Sequence, residues 1–585
     1  MAGVVGIVSS DMQAAVSDEE VANFAAAFQD IRGRGPERAL QAGEWAKFSI
    51  IGAGASPTVE VEDDSWFGAV GAVHGNGRLC ATRLEELDGQ FAGARYDAES
   101  GDVEVFTDFF GMQPMYMASH HEHTYFSTSA TALARHLRAR PDPLGMRVFL
   151  RSGYQIGPAT LWEGIDRLEP GTVISCSGHA PRRRTSWLPR VDERVRAMNL
   201  GQTIEHCVGV FVDVVRRRLA SGSAPWVDLT GGFDSRMVAA VVSHAGVEFT
   251  ASTNGDPESA DVRLAEQVAT NGGFAWQRIS LPHDWTMRPE SARLAAGWSD
   301  GTLDVFQLAE VLESHAIKAA KSRHVVTGGG GEHFNSFPWQ QEFLQAGRRR
   351  KVNYTNLLNM RYLKQADTSM LSEQSDEDVA QYFRDILSQR AAHYSDHPNT
   401  TQLDAIYAYK SVGHFGAYRA ASEALVRTEI PCYYREIFAT AFSVHYRWRN
   451  NHRVQRGIIE RLSPAMASVP TTRGGTAQPV RARNVHQLVP YYMGVGQRAA
   501  RKLVRWGRPA GSVPTGEAKA VRYRPALEEL RREGVFDWPS MHSAPLYDRD
   551  RLMAFLDRSR ADDFGGWNMI GRIATLELVL GAASR

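Results

Sequence analysis

The chain has 585 residues, with 66 basic and 66 acidic side chains and no formal net charge. That length predicts two or more domains, and the charge balance argues against a dedicated nucleic-acid binder. Cys80, Cys176, Cys207 and Cys432 form no Cys-x-x-Cys pair, no apolar run approaches the ~20 residues of a membrane span, and no signal-peptide pattern opens the chain, so a reducing cytoplasm is expected. The front of the chain reads as strands. Residues 4–8, 48–51, 66–73, 93–96 and 103–107 are short apolar or alternating runs punctuated by Gly and Asp. Ser17 with Glu20 three residues on predicts an N-cap and capping box for a helix over 17–28.

Several segments, in order, carry a resemblance. Met1-Ala2-Gly3-Val4-Val5-Gly6-Ile7 resembles the Met-Cys-Gly-Ile start of class II glutamine amidotransferases, and Arg34-Gly35-Pro36-Glu37 their Arg-Gly-Pro-Asp. Leu87-Asp88-Gly89-Gln90-Phe91-Ala92 and the Asp108-Phe109-Phe110-Gly111 stretch through Tyr116 resemble later landmarks of the asparagine synthetase N-domain. Trp162-Glu163-Gly164-Ile165 with Pro170-Gly171 looks like that family's bridge into its synthetase domain. The resemblance implies an α+β, Ntn-hydrolase-like sandwich over 1–190. It implies an ATP-pyrophosphatase domain over 200–585, α/β and Rossmann-like, of the PP-loop class, with a helical C-terminal part. Ala2 stands where a glutaminase has its nucleophilic Cys, and a methyl group cannot attack an amide. Asn76-Gly77-Arg78 is a poor remnant of the glutamine-binding Asn-Gly-Glu. The front domain is therefore expected to keep its fold without glutaminase chemistry, as in β-lactam synthetase and the lasso-peptide cyclases; an engineered Cys→Ala is the alternative.

From Trp226 a short apolar run leads to Leu229, then Thr230-Gly231-Gly232, then Asp234, Ser235 and a helix-forming run. Glycines admit a phosphate close to backbone N–H groups, and the helix N-terminus adds partial positive charge. Asp234 suits Mg²⁺, and Thr230 and Ser235 can donate hydroxyl hydrogen bonds. No Gly-Lys-Ser/Thr follows, so this is not a P-loop. The segment resembles the Ser-Gly-Gly-x-Asp-Ser loop of enzymes that split ATP into AMP and pyrophosphate; the alternative is a βα turn whose glycines only pack. Residues 249–255 read as a strand into a turn, and Leu229 and Thr253 are expected near the nucleoside. Asp261 opens a helix with Leu264, Ala265, Val268 and Ala269 on one face. The run from His324 to His333 again leads a β-branched strand into glycines. It resembles the family's Ser-Gly-x-Gly-x-Asp-Glu loop, which implies that Gly328, Gly329 and Gly330 line ATP and that Glu332 takes a second Mg²⁺. Gly329 occupies a slot that holds a carboxylate or a tyrosine in relatives.

Glu429-Ile430-Pro431-Cys432-Tyr433-Tyr434 looks like the family's Arg-x-Pro-Phe-Leu-Asp. Residues 451–456 fall where the family places a transition-state Lys, and none occurs there. Arg453 or Arg456 either supplies that charge to pyrophosphate or is an exposed helix charge; His452 is a candidate proton carrier, and Lys410, Lys502 and Lys519 are fallback cations. Arg498, Arg501, Lys502 and Arg505, before a loop over 507–514, form either a solvated or lid face or a dock for an acidic carrier or precursor peptide. A helix over 567–580, with Glu577, is expected in the core. The combined expectation is a ligase using ATP and Mg²⁺, which adenylates a carboxylate on a small molecule or peptide and passes the acyl group to an amine. Ammonia-dependent asparagine synthesis, a non-catalytic scaffold and a tRNA-modifying adenylating enzyme are the alternatives.

Overall fold

Strands in the front third of the computed structural model are β1 (Gly3–Ser9), β2 (Glu37–Ala42), β3 (Ala46–Ile51), β4 (Pro57–Glu62), β5 (Ser65–His74), β6 (Asp88–Asp97), β7 (Asp102–Thr107), β8 (Tyr116–His120), β9 (His123–Ser127), β10 (Ile165–Arg167), β11 (Thr172–Cys176) and β12 (Arg182–Thr185). The structure describes residues 2–584 except 53–56, 76, 220–221, 364–366, 373–375, 490–492 and 494–515. Met1, Asn76, the basic run Arg498, Arg501, Lys502 and Arg505, and the 507–514 loop lie outside the described residues.

The strands form two antiparallel sheets, ordered β10-β8-β9-β1-β3-β2 and β12-β11-β7-β6-β5-β4. Side chains alternate along a strand. Val4 and Val8 therefore meet Phe48, Ile50, Trp66 and Val70 between the sheets. Val5 and Ile7 point the other way, onto Phe24, Phe28 and Leu133 of the helices Asp18–Arg32 and Ala130–Leu137. Both faces of β1 are covered, which is why it reads as a continuous apolar run. The expected strand over 93–96 is the end of a longer one, β6. The capping box is not formed. Ser17 is the N-cap but its side chain makes no cap hydrogen bond, and Glu20 instead accepts the Tyr125 hydroxyl at 2.6 Å.

A second body is built on β13 (Trp226–Asp228), β14 (Thr250–Asn254), β15 (Ala275–Ile279), β16 (His324–Val326) and β17 (Arg427–Glu429). They pair in parallel in the order β15-β14-β13-β16-β17. Helices Leu200–Leu219, Asp234–His244, Ala260–Gly272 and Arg453–Leu462 bury Phe211, Val238, Val241, Ala265, Val268, Ile458 and Ile459 with Val227 and Val326 in one cluster. Each such Val, Ile or Phe side chain, fully buried, stabilises by roughly 1.5–3 kcal/mol. This is the expected architecture, an Ntn-type α+β sandwich followed by an α/β domain.

The bodies share a core. The closing helix Trp567–Ala583 places Ile570, Ile573 and Leu576 in one cluster with Val148 and Phe149 of the front part. Glu577 is buried there and accepts Ser543 N at 3.0 Å and His542 N at 2.7 Å. Polar contacts also cross between the bodies. The Gln90 amide donates to and accepts from the Ile430 backbone, both at 3.1 Å. Buried Arg419 donates to Gln113 Oε1 at 2.6 Å, to the Gln90 carbonyl at 2.8 Å and to Glu423 at 2.8 Å. Glu429, at the end of β17, accepts His74 Nε2 at 3.0 Å, Arg427 Nη2 at 2.6 Å and the Tyr434 hydroxyl. The Leu87–Ala92 and Glu429–Tyr434 landmarks thus meet at the domain seam. Loss of one buried partner there leaves a group unsatisfied, at a cost of about 1–3 kcal/mol. Among the described residues no helix is long and apolar enough to cross a membrane.

Candidate active site

In this strand order the chain reverses direction across the sheet between β13 and β16. A parallel sheet opens a ligand crevice beyond the carboxyl ends of its strands at such a switch point. The 229–233 loop follows β13 and the 327–331 loop follows β16. Thr230 N donates to Ser235 Oγ at 2.9 Å, the two hydroxyls lie 2.9 Å apart, and Gly232 N reaches Thr230 Oγ1 at 3.2 Å. Gly231 N donates to Asp261 Oδ1 at 3.0 Å. No side chain caps the N-terminus of the helix Asp234–His244, which leaves that end suited to an anion. The glycines after β16 let the two loops touch. A Cβ at Gly328 would stand 2.6 Å from Ser235 Cα, and one at Gly331 would stand 2.5 Å from Asp234 Cβ. A Cβ at Gly329 would lie 3.3 Å from Ile430 Cγ2 and 3.4 Å from Phe415 Cδ1, so these side chains pack close against the loop.

Two carboxylates face each other across this contact. Burial raises the pKa of Asp234. Burial, and then the charge of Asp234, raise that of Glu332. Glu332 Oε2 is buried with no hydrogen-bond partner. Two close acids that each resist ionisation, one with an unsatisfied oxygen, fit a divalent cation, which reverses both penalties. Among the described residues no group of three or more His, Cys, Asp or Glu assembles. Mg²⁺ is held by one or two carboxylates and completes its shell with phosphate oxygens and water.

A hydrogen-bond chain holds Asp234. Gln455 Nε2 donates to Asp234 Oδ1 and, at 3.1 Å, to the Gly331 carbonyl. Gln455 Oε1 lies 2.6 Å from His452 Nδ1, and His452 Nε2 lies 3.3 Å from Arg473 Nη1. A guanidinium can only donate, so Nε2 accepts and Nδ1–H donates to Gln455, a tautomer assigned from the network. Burial pushes the His452 pKa down to about 4. Its ring stacks on Phe233, centroids 4.3 Å apart. Asn451 and His452 both have left-handed backbone, φ 55° and 57°, a conformation that costs of order 1 kcal/mol or more per non-glycine residue and collects at functional sites.

The site residues expected from sequence fall unevenly. Thr230, Gly231, Gly232, Asp234, Ser235, Gly328, Gly329, Gly330 and Glu332 come together at the crevice. Leu229 and Thr253 are joined beside them: Thr253 Oγ1 donates to the Leu229 carbonyl at 2.8 Å, and both side chains are buried. The expected cation is differently arranged. Arg453 is exposed to solvent on the first turn of its helix. Arg456 is buried and donates to the carbonyls of Asn451 at 3.0 Å, Thr476 at 2.6 Å and Gln478 at 2.9 Å, with its guanidinium 4.7 Å from the Phe233 ring centroid. It is a clamp on the 471–478 segment. The cation whose charge favours ionisation of both Asp234 and Glu332 is Arg473, in the 471–475 turn. Sequence reasoning missed Arg473, Gln455 and Arg236. Buried Arg236 donates to the carbonyls of Val469 and Pro470, each at 2.7 Å, and so seats that segment over the glycine loop. Lys519 lies elsewhere, donating to Asn568 Oδ1 at 3.2 Å.

A glutamine amidotransferase domain model matches residues 71–187, and an asparagine synthase model matches residues 208–472. The carboxyethyl-arginine beta-lactam-synthase of Streptomyces clavuligerus is 27% identical over 276 residues, 45% of this chain and 50% of that protein. The chain thus spans about half the length of this curated relative. Two solved structures align: an allosteric regulatory enzyme of purine biosynthesis, at 10% identity over 47% of this chain and 64% of that one, and the glutamine phosphoribosylpyrophosphate amidotransferase of B. subtilis, at 9% over 56% and 81%. With a TM-score of 0.22 each, neither bears on the argument. An amidotransferase-type domain leading into an asparagine synthase domain makes this chain a member of the asparagine synthetase family.

Proposed function

We propose that the protein is an ATP-dependent, AMP-forming amide synthetase that activates a carboxylate and transfers the acyl group to an amine. The observation that carries this reading is the buried pair Asp234 and Glu332, with Glu332 Oε2 unsatisfied, at the foot of two glycine loops. ATP enters as substrate, its triphosphate over Gly231 and Gly232 and the helix N-terminus. A substrate carboxylate oxygen attacks the α-phosphorus and pyrophosphate leaves. The amine then attacks the acyl-adenylate and AMP leaves, with the amine proton released. Bound Mg²⁺, held by Asp234 and Glu332, would supply charge neutralisation for the leaving pyrophosphate. Gln455 orients Asp234, and Arg473 offers a permanent positive charge at the mouth of the crevice.

Ala2 supports an amine taken from the substrate or from solution, since its methyl carries no nucleophile. The substrate in this reading is a small molecule or peptide bearing both acid and amine, joined in natural-product cyclisation or ligation, where held proximity accelerates closure. The test is nucleotide chromatography after incubation with ATP, Mg²⁺ and a panel of amino acids and short peptides, with aspartate plus ammonium as one member. AMP and pyrophosphate are expected. ADP as product overturns the reading, and asparagine from aspartate plus ammonium redirects it to ammonia-dependent asparagine synthesis.

A further inference from the structure

The chain leaves the second glycine loop through the turns Gly331–Phe334 and Phe337–Gln345 and enters the helix Tyr354–Arg361. Over residues 343–361 it carries five basic side chains and no acidic one, in a protein whose charges otherwise balance. Arg348, Arg349, Arg350 and Lys351 are consecutive and exposed. Among the described residues no carboxylate pairs with any of the four. Apolar surface lies beside them. Leu344 is 83% exposed and Phe343 52%, and Met360 is exposed on the helix that follows. Ala346 N donates to the Phe343 carbonyl at 3.3 Å and Arg348 N to the Gln345 carbonyl at 3.0 Å. These overlapping turns fold Phe343 and Leu344 back towards the start of the cation run.

The backbone under these cations is fixed while their side chains are left to solvent. Buried Asn399 accepts Gly347 N on its side chain at 2.9 Å and donates its own N–H to the Arg349 carbonyl at 2.8 Å. Buried Gln402 donates to the Arg350 carbonyl at 2.7 Å. The neighbouring acid, Glu342, is buried and occupied, accepting Asn353 N and Asn399 Nδ2, each at 2.8 Å. Four like charges held side by side repel, and an anionic partner relieves that repulsion. Arg, Phe and Met are the side chains that collect at protein interfaces, where Asp and Glu are depleted, and guanidinium groups pair with carboxylates in a bidentate fork. The exposed apolar side chains stand on turns, without the long apolar helix face that lies in a membrane surface, and a chain of zero net charge lacks the basic excess of a nucleic-acid binder. An acidic peptide with apolar side chains matches both features. The surface also connects to the paired acids. The Phe337 ring lies 5.5 Å from that of Tyr407, whose phenol pKa is raised by burial and then by the Glu332 carboxylate.

We infer that residues 343–351 dock an acidic segment of a peptide substrate, one that carries apolar side chains and takes no part in the bond being made. Its role as substrate dock rests on the adenylation reading; the binding itself does not. Arg348 to Lys351 hold the carboxylates, and Phe343 and Leu344 cover the apolar side chains.

The experiment measures binding of a fluorescein-labelled peptide of repeated Glu-Glu-Leu-Phe units to the full-length protein by fluorescence anisotropy, with ATP–Mg²⁺ binding followed in parallel by calorimetry. One control peptide has Ser for Leu and Phe, and another has Lys for Glu; a single-stranded oligonucleotide and phosphatidylserine vesicles are compared with them. The Glu-Glu-Leu-Phe peptide is expected to bind about tenfold tighter than either control peptide, and more weakly as salt rises. Joint Arg349→Glu and Arg350→Glu should weaken it about tenfold, and Leu344→Ser several-fold. Thermal melting and ATP–Mg²⁺ binding should stay as in wild type, because the fold uses only the backbone at 349 and 350. Equal binding of the Ser control, or binding that these variants do not weaken, overturns the inference while ATP–Mg²⁺ binding leaves the adenylation reading standing. Tighter binding of the oligonucleotide or the vesicles overturns it too, in favour of a nucleic-acid or membrane surface. Peptide docking through these residues in a protein that does not bind ATP–Mg²⁺ removes the adenylation reading and keeps the docking surface.

Discussion

Ala2 and Asp234 both stand at the start of an element, Ala2 just before β1 and Asp234 opening the helix Asp234–His244. Their surroundings differ. Ala2 is buried among Val4, Phe48 and Ile50, and Gly52 packs so closely that a Cβ there would lie 2.7 Å from Ala2 Cα. Around Asp234 the chain keeps features that packing alone would remove: an unsatisfied Glu332 oxygen, two consecutive left-handed residues, and a buried neutral histidine in a directed chain of hydrogen bonds. Retained costs of this kind support the proposal that the site is in use. The front sandwich packs on the second body through Gln90, His74 and the shared apolar core.

The contrast breaks most visibly at Asp234. Asp234→Ala is expected to slow ATP–pyrophosphate exchange by about a thousandfold, several kcal/mol of barrier, with thermal melting unchanged. Near-normal exchange would put Asp234 in the same class as Ala2.

Acid should then unsettle the second site through His452. An unfolded histidine takes up a proton near 6.5, while the buried ring resists until about 4. Between those values the unfolded chain binds more protons, so this contribution to stability is full above 6.5 and is lost as pH falls towards 4. The loss is on the order of 3 kcal/mol at most. Denaturant unfolding at neutral pH and near pH 4.5, for wild type and His452→Gln, measures it; equal acid sensitivity in the two proteins would contradict the assignment.

Gln455→Ala leaves the carboxylates in place and removes what orients one of them. The Mg²⁺ concentration for half-maximal activity should rise about 10- to 100-fold. An unchanged requirement would mean that Asp234 holds its position without the relay. Arg473→Ala is expected to slow pyrophosphate release about tenfold, since the group is exposed and its field is screened. Lys at 473 should restore part of the rate, and Arg453→Ala should change little. The smallest expected effect is Ala2→Cys. It restores the nucleophile type and no more, so glutamate release from glutamine should stay at the no-enzyme level. Release above that level would show that the front domain has lost less than its packing suggests.

Local order made part of this molecule legible from its residues. The strand, glycine turn and helix around 230–235 are consecutive, and their chemistry follows from spacing, so Thr230, Asp234 and Ser235 stand where the pattern put them. The apolar runs of β1, β3, β5 and β7 were readable for the same reason, because side-chain alternation is a property of the strand itself. The capping box shows the limit. Ser17 and Glu20 have the right spacing, yet the Tyr125 hydroxyl, on a strand 105 residues away, holds Glu20.

The sequence by itself determined the two-domain plan, the glycine loops and the first acid, because each depends on neighbours in the chain. Only tertiary structure decided which residue at 453–456 meets that acid. Successive helical residues turn by about 100°, and the left-handed pair Asn451 and His452 sets the phase at which the helix begins. At that phase Gln455 points to Asp234, 221 residues away in sequence. Arg456 turns onto Phe233 and the 476–478 carbonyls, and Arg453 turns outward. The cation comes instead from Arg473, on a turn seated by Arg236. Nothing in the spacing of residues 453–456 encodes that rotation; it follows from the packing of the helix against the helices Leu200–Leu219 and Asp234–His244.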